Sequence, residues 1–308
     1  MSIGVSRVFH LNVNCSDLER SLGFYRDLIG LMQGAHTVPT EPQEGAAFGL
    51  DAVQWDAWIL NDARGFGVGV VLDLLEWQVP PPAGVPYPSA NHLGFGRLGF
   101  ASDDVDGLYG RLVAAGVDCT GPPHDIALEG VPAVRAFVCR DPDGTLLEFV
   151  TAPAGRAGNQ LSFVGVNCSD LERSLEFYVD VLGCTTKHRF APGPSDGSAL
   201  RLGPEVEWEM AYLDDPRGNG TFAIDLVEWK RPRSEGPPYT SANHLGIYRM
   251  AFFTDDIDRD HDALRRAGVE CVTPPAHLEM GPGIPSLRAL LFPDPDGTIL
   301  ELIESPTT

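Results

Sequence analysis

Two aspartates stand inside strongly apolar segments of the chain. Asp73 lies in the stretch VVLDLLEW and Asp225 lies in FAIDLVEW. A carboxylate buried without a partner is costly, so each is expected to pair inside a pocket, where it could serve as a general base, or to lie solvated on an edge strand. Each stretch ends in Glu-Trp, and Trp77 and Trp229 either line the entrance of such a pocket or pack in the core.

Amide and imidazole groups recur in a second pair of segments. SANHLG spans residues 89–94 and returns at 241–246, so that Asn91 and His92 correspond to Asn243 and His244. These side chains are expected either to bind a ligand at the mouth of a pocket or to hold a loop through hydrogen bonds. Each candidate group therefore occurs twice in the chain.

These pairs belong to an internal repeat that covers the whole chain. VNCSDLERSLGFY at 13–25 returns as VNCSDLERSLEFY at 166–178, and DPDGT at 141–145 returns at 294–298. The repeat predicts two homologous domains, residues 1–152 and 160–308, joined by a small, polar linker at 153–159.

Each half divides again into two similar units. Apolar and polar side chains alternate in residues 7–14, which predicts a strand. The capping-box sequence at 16–19 then begins a helix that is expected to end at Gly30. The pattern restarts with a strand at 97–102 and a helix that Asp103–Asp106 cap. We predict an α+β fold of four βαβββ units, which must pair because one half-buried sheet cannot bury its apolar face alone.

The charge balance excludes several classes of partner. Among 308 residues, 43 are acidic and 22 are basic, which gives a net charge of −21. Such a field repels nucleic acid and anionic membranes. The sequence has no uncharged apolar run of about 18 residues and does not begin with the apolar core of a signal peptide. We therefore expect an acidic cytoplasmic protein that binds neither nucleic acid nor membrane.

The six cysteines show no Cys-x-x-Cys pair. Cys15, Cys119, Cys168 and Cys271 occupy repeat-equivalent positions within apolar stretches. This pattern is typical of buried structural thiols in an intracellular protein.

The motifs together resemble those of a known group. SDLERSLxFYxxxLG, a helix capped by DDVD or DDID that ends in AGV, and DPDGTxLE are similar to motifs of the vicinal oxygen chelate superfamily. This group includes glyoxalase I, extradiol dioxygenases, epimerases, and fosfomycin- and bleomycin-resistance proteins. The resemblance implies two tandem domains in which paired βαβββ units curl a mixed sheet around a cup. It also implies four inward positions that hold a metal or contact the ligand.

The resemblance assigns those four positions residue by residue. In the first half these positions are occupied by His10, Asp73, Arg97 and Glu148. In the second half the same positions, in the same order, are occupied by Phe163, Asp225, Arg249 and Glu301. The third position is a histidine in metal-binding relatives. Arginine stays protonated and cannot ligate a metal, so both halves depart from the metal-binding pattern.

The departure leaves two arrangements open. The second half has no imidazole at these positions and is not expected to hold a metal, whereas His10, Asp73 and Glu148 could form a weak three-ligand site. Relatives sometimes exchange units between halves, in which case His10 and Asp73 face Arg249 and Glu301 instead. His10 could also be a core histidine, and both arginines could merely pair with the neighbouring glutamates.

Two functional hypotheses follow from the resemblance. The first is a metal-free cup for an organic small molecule, which binds an antibiotic or secondary metabolite or catalyses with His10, Asp73 or Asp225 as base and Arg97 or Arg249 as oxyanion partner. The alternative is a lyase, isomerase or dioxygenase that uses one divalent metal (Fe, Mn, Ni, Co or Zn). Fused halves replace the homodimer of single-domain relatives, so a monomer is expected, or a homodimer of the fused chain.

Overall fold

The computed structural model describes residues 2–216, 218 and 220–304, which form strands β1–β17 and helices α1–α4. The strands are β1 Val5–Asn14, β2 Met32–Thr37, β3 Gln43–Glu44, β4 Ala52–Asn61, β5 Val71–Val79, β6 Gly94–Ser102, β7 His124–Ile126, β8 Val134–Arg140, β9 Leu146–Thr151, β10 Asn159–Cys168, β11 Thr185–Ser195, β12 Val206–Asp214, β13 Ala223–Arg231, β14 Gly246–Thr254, β15 Ala276–Leu278, β16 Leu287–Pro293 and β17 Ile299–Glu304. The helices are α1 Leu18–Leu22, α2 Val105–Ala114, α3 Leu171–Leu175 and α4 Ile257–Arg266.

The helices begin where the capping residues predict. Asp17, Asp104, Asp170 and Asp256 each accept a hydrogen bond from the backbone three residues later. Helices α1 and α3 continue as π-helical turns at 23–28 and 176–181, so the first helix extends almost to Gly30. No helix in the described part of the chain is both long and apolar enough to cross a lipid bilayer.

The strands form two curled mixed sheets, which confirms the predicted α+β fold of four βαβββ units. The order in the first sheet is β15-β16-β17-β14-β1-β5-β4-β2, with β3 paired to β4. The order in the second is β11-β12-β13-β10-β6-β9-β8-β7. Strand β1 runs parallel to β5 and antiparallel to β14, and β10 lies in the same way between β13 and β6.

Each sheet takes strands from both halves of the sequence. The first sheet combines 5–79 with 246–304, and the second combines 94–151 with 159–231. The arrangement with exchanged units is therefore the one that the chain adopts. The division at 153–159 stays a prediction about the repeat.

A large apolar core lies between the two sheets and fixes which side chains face the cups. Leu11 of β1 and Val164 of β10 are fully buried in one cluster with Leu98 and Met250. Side chains alternate along a strand, so His10 projects from the opposite face of β1 to Leu11. The concave face of each sheet thus carries the candidate site.

Hydrogen bonds between two of the repeated motifs join the helix of one sheet to a turn of the other. The Tyr25 hydroxyl donates to Asp141 at 2.9 Å, and the Tyr178 hydroxyl donates to Asp294 at 3.2 Å. Burial raises the pKa of Asp294 to about 6, although backbone hydrogen bonds from its own turn oppose this shift. The FY and DPDG motifs therefore have a structural role.

The prediction that the repeated cysteines are buried is half right. Cys15 and Cys168 are at most 1% exposed, whereas Cys119 and Cys271 are partly exposed. The latter two lie in the connections that follow α2 and α4, outside the strands, where they pack against the core without being fully buried.

Candidate functional site

The first sheet gathers four of the predicted residues into one buried cluster. The Arg249 guanidinium donates from Nη2 to Asp73 Oδ2 and from Nε to Glu301 Oε2, both at 2.8 Å. His10 Nε2 lies 3.1 Å from Glu301 Oε2 and 3.9 Å from Asp73 Oδ2. All four side chains are at most 6% exposed. The predicted pairing of an arginine with its neighbouring glutamate is thus present here.

An amide and an aromatic ring make further contacts with this cluster. Asn12 donates from Nδ2 to Asp73 Oδ2 at 3.1 Å, and the Phe48 ring lies 5.3 Å from the Arg249 guanidinium carbon. Burial alone would raise the pKa of Glu301, but Arg249 and His10 outweigh it and hold that pKa below its ordinary value. The guanidinium therefore gives both buried carboxylates a partner of opposite charge.

Apolar side chains fill the space over this cluster. The segment around β3 is tied to the loop after β15 by a hydrogen bond from Val38 N to Met280 O at 3.0 Å and by the Gln43 side chain, which bonds the backbone of Glu279. The cup of the first sheet is therefore occupied by the protein itself. The side chains that cover it are at most 4% exposed: Phe48, Trp55, Trp77, Tyr248, Leu278 and Leu291.

The second sheet holds the matching cluster with one residue exchanged. Arg97 donates from Nε to Glu148 Oε2 at 2.5 Å and from Nη2 to Asp225 Oδ2 at 3.1 Å. Phe163 stands where the first sheet has His10, and its ring lies 5.6 Å from the guanidinium carbon. Burial raises the pKa of Asp225 to about 7, with Arg97 opposing the shift and Glu148 adding to it.

A cavity of about 620 Å³ opens over this second cluster. Arg97 and Glu148 lie at its base, where their side chains are 13% and 12% exposed. Exposed polar residues, among them His124, Asp125 and Asp196, stand at its rim. The apolar walls are formed by Leu128, Ala136, Phe137, Val138, Leu200, Trp208, Met210, Val227 and Trp229.

One difference between the repeats explains why one cup is full and the other open. Phe48, which covers Arg249, corresponds to the smaller Leu200, which lines the cavity of the second sheet. Since an apolar interior is packed nearly without voids, the loss of this aromatic ring leaves space for a ligand.

The predicted Asn91 and Asn243 lie where the two segments that connect the sheets meet. Asn91 donates to the Arg233 carbonyl at 2.8 Å, and Asn243 donates to the Pro81 carbonyl at 2.7 Å. Each amide therefore holds the backbone of the other connection, and neither lines the cavity of the second sheet.

His92 and His244 are part of an aromatic stack at the same junction. Tyr87 and Tyr239 stack at 4.1 Å between ring centroids, and His92 lies on Tyr87 at 4.4 Å and His244 on Tyr239 at 3.5 Å. In each histidine Nδ1 is about 3 Å from the carbonyl of the next residue. A ligand-binding role for these residues stays a prediction, and their present contacts are those of a joint between the sheets.

The two predicted tryptophans have different environments. Both are nearly buried, at 1% and 3% exposed, but Trp77 packs within the filled first cup, whereas Trp229 lines the cavity of the second sheet. Their indole N–H groups donate to Asn14 and Asn167 at 3.0 and 2.9 Å. Trp229 is therefore the one whose aromatic face meets the cavity.

The architecture, with a cup on each of two curled sheets, agrees with the sequence. A family model of the Glyoxalase/Bleomycin resistance protein/Dioxygenase superfamily matches residues 7–149 and 160–302. The chain belongs to this superfamily. No curated protein sequence matches the chain.

Solved structures share the superfamily fold over the length of the chain. Glyoxalase I from Zea mays is 20% identical, with a TM-score of 0.66 over 97% of this chain and 92% of that chain. A point mutant of the same maize enzyme is 21% identical, with a TM-score of 0.67 over 97% and 92%. A proposed dioxygenase from Bacillus subtilis is 13% identical, with a TM-score of 0.61 over 99% and 87%. At these identities the likeness concerns the fold alone.

The four inward positions of this superfamily member do not form a metal-binding donor set. In the first sheet His10, Asp73 and Glu301 converge, but the Arg249 guanidinium contacts both carboxylates and places a permanent positive charge between them. Glu148 lies in the other sheet and does not join this cluster. In the second sheet the imidazole is replaced by Phe163. The donors of neither cluster fit a divalent metal.

Several residues that shape the sites of this superfamily member were not predicted from its sequence. Asn14 and Asn167 hold the connections between the sheets and also accept from the tryptophans. Both stand at the same position of the repeated motif VNCSD, and this repetition could have identified them in the sequence. For Leu200 and Met210 the sequence offers no such signal, because an apolar residue that faces a cavity resembles one in the core.

The pKa of Asp225 predicts a dependence of stability on pH. In the unfolded chain an aspartate ionises near pH 3.9, whereas the folded chain holds this proton to about pH 7. Between these values the folded state binds more protons, so the free energy of unfolding falls as the pH rises. In urea titrations from pH 4 to 8, the wild type should lose on the order of 2–4 kcal/mol relative to Asp225→Asn, mostly between pH 4 and 7. Parallel pH profiles of the two proteins would contradict the assignment.

Proposed function

We propose that this chain binds an organic small molecule in the cavity of the second sheet and that binding requires no metal. The observation that supports this most directly is the Arg97–Glu148 pair at the base of an apolar cavity of about 620 Å³. Ligand pockets of proteins have volumes of about 300–1,000 Å³ and combine apolar walls with a few polar groups. The cavity matches that description in size and in lining.

The lining indicates the chemistry of the ligand. Trp208 and Trp229 offer two aromatic faces, which favour a flat, apolar body. At the base Arg97 can donate and Glu148 can accept, which suits a hydroxyl or carbonyl group on the ligand. The carboxylates of Asp125 and Asp196 at the rim disfavour an anion. Aromatic antibiotics and secondary metabolites that are neutral or cationic have these features.

Metal-independent catalysis is a second candidate, which Asp225 favours. A carboxyl group with a pKa of about 7 can both donate and accept a proton near neutral pH. Asp225 does not line the cavity itself, but it lies 3.1 Å from Arg97, which does and whose charge would stabilise an anion formed on a bound molecule. Turnover of a bound compound that is lost in Asp225→Asn while binding is retained distinguishes catalysis from binding alone.

A binding screen with and without a chelator tests the proposal. Neutral and cationic aromatic antibiotics and polyketides are titrated while the fluorescence of the tryptophans is followed. We expect at least one compound to bind equally well with and without EDTA, and Arg97→Met to weaken it about tenfold or more through the loss of a charge-assisted hydrogen bond. Arg288→Met is the matched control, since that arginine belongs to the first sheet, pairs with Asp258 and does not line the cavity. Binding that disappears in EDTA and returns with a divalent metal would overturn the proposal.

A further inference from the structure

Two cysteines lie directly opposite one another beside the cavity of the second sheet. Cys119 and Cys139 form an isolated antiparallel bridge. The flanking residues close it on both sides, with Arg140 N donating to Asp118 O and Thr120 N donating to Val138 O, each at 2.9 Å. This hydrogen-bond pattern makes the cysteines a non-hydrogen-bonded pair, in which side chains approach most closely.

The spacing of such a pair suits a disulfide. Directly opposite residues of this type have Cα atoms about 4.5 Å apart, and disulfides span Cα separations of about 4.4–6.8 Å. A bond at the short end of this range is strained and therefore easily reduced. This is the geometry of a cross-link that forms and breaks reversibly.

The two thiols differ in access and in acidity. Cys119 is partly exposed, whereas Cys139 is buried. A hydrogen bond from Cys139 lowers the pKa of Cys119, with burial opposing the shift, and the same contact raises the pKa of Cys139, as burial also does. Cys119 is thus the thiol that reacts first, and Cys139 is positioned to attack the product.

The repeat provides a cysteine that lacks this partner. Cys271 occupies the position of Cys119, and Val272 N donates to Leu291 O at 2.8 Å as Thr120 N does to Val138 O. The residue that corresponds to Cys139 is Phe292, and Pro293 follows it without an N–H group. Cys271 is partly exposed, as Cys119 is, but phenylalanine and not cysteine stands opposite to it.

We propose that Cys119 and Cys139 form a reversible disulfide in response to a low-molecular-weight disulfide. The Cys119 thiolate attacks one sulfur of the oxidant and releases one thiol, which leaves a mixed disulfide on Cys119. The Cys139 thiol then attacks Cys119 Sγ, its proton passes to solvent, and the second thiol of the oxidant leaves. One disulfide is consumed and one is formed, so two thiols of the protein are oxidised and two small thiols are produced.

The cross-link would act on the wall of the cavity. Thr120, Gly121 and Pro122 follow Cys119 directly, and Val138 precedes Cys139, and all four line the cavity. A disulfide would fasten the first three residues to β8 by a covalent bond. The proposed redox site is thus built into the binding cavity, although it does not depend on the ligand that the cavity takes.

The test is incubation of the full chain with excess glutathione disulfide, followed by intact mass measurement and peptide mapping. We expect a cross-linked peptide that joins Cys119 to Cys139, with a mass loss of two hydrogen atoms that dithiothreitol reverses. Cys271 in the same sample is the internal control and should carry a glutathione adduct or stay free. In Cys139→Ala we expect Cys119 to stop at the glutathione adduct.

Two results would overturn the proposal. One is a wild-type protein in which Cys119 holds a stable glutathione adduct while Cys139 stays free. The other is a protein in which neither Cys119 nor Cys139 reacts under conditions that modify Cys271. Both results are read from the wild type, so they do not depend on whether a cysteine variant folds.

Discussion

Replacement of Arg249 by methionine is expected to lower the free energy of unfolding by about 3–5 kcal/mol. Methionine keeps an unbranched side chain of similar length but removes the charge that holds Asp73 and Glu301. Both carboxylates are almost fully buried, so water cannot replace the guanidinium. Urea denaturation at neutral pH, followed by circular dichroism, measures the loss.

The second sheet provides the matched control for this change. Arg97→Met removes the same guanidinium from an equivalent strand, but Arg97 and Glu148 face the cavity and are partly accessible to water. We therefore expect a clearly smaller loss there. Addition of Asp73→Asn and Glu301→Gln to Arg249→Met should restore part of the stability, because no unpaired buried carboxylate is left. Equal losses for Arg249→Met and Arg97→Met would contradict this account of the first cluster.

Replacement of Leu200 by phenylalanine is expected to close the cavity of the second sheet. The first sheet carries phenylalanine at the corresponding position, where Phe48 covers Arg249 and the cup is filled. With the neutral dye Nile red as probe, we expect the wild type to bind in the cavity and Leu200→Phe to bind more than tenfold more weakly, a change of at least about 1.4 kcal/mol. Fluorescence titration of the dye measures both affinities.

Leu202→Phe is the matched control for this experiment. It makes the same exchange two residues further along the chain, at a side chain that does not line the cavity. Its affinity for Nile red should equal that of the wild type. If Leu200→Phe and Leu202→Phe bind the dye as the wild type does, the dye lies elsewhere and the cavity is not closed by the added ring.

Local features of the fold could be predicted from the sequence because they depend on neighbouring residues. The strand patterns, the aspartate caps and the turn at DPDG each lie within about ten residues of chain. For the arginines at the inward positions, pairing with the neighbouring glutamate was one of two alternatives, and the need of a buried charge for a partner explains why it is present. For Asp73 and Asp225, likewise, the sequence left pairing inside a pocket and solvation on an edge strand open.

The choice of the open cup could not be predicted from those residues. His10 drew attention to the first half, yet the site that contains it is sealed by Phe48 and Tyr248. Which cup is open depends on the volume of side chains that come together from distant strands. A one-residue difference such as Phe48 against Leu200 decides it, and no local pattern marks that residue.

The pairing of the units was likewise open at the level of sequence. The helices and strands of the four units are so similar that either pairing would bury an apolar face. The structure pairs β1 with β14 and β10 with β6, which brings Asp73 to Arg249 and Asp225 to Arg97. Contacts over such separations are selected by the packing of the complete fold.

In the sequence, the segment that forms the second sheet lies between the two segments that form the first sheet. This order has a consequence for folding during translation. The second sheet is contiguous in the chain, from 94 to 231, so its strands emerge from the ribosome together. The first sheet must wait, because β1 has one edge unpaired until β14, near the end of the chain, has been made. A nascent chain released before that point exposes both an open strand edge and the uncompensated Asp73. A circular permutant that begins at β14 would make both sheets contiguous and remove this delay.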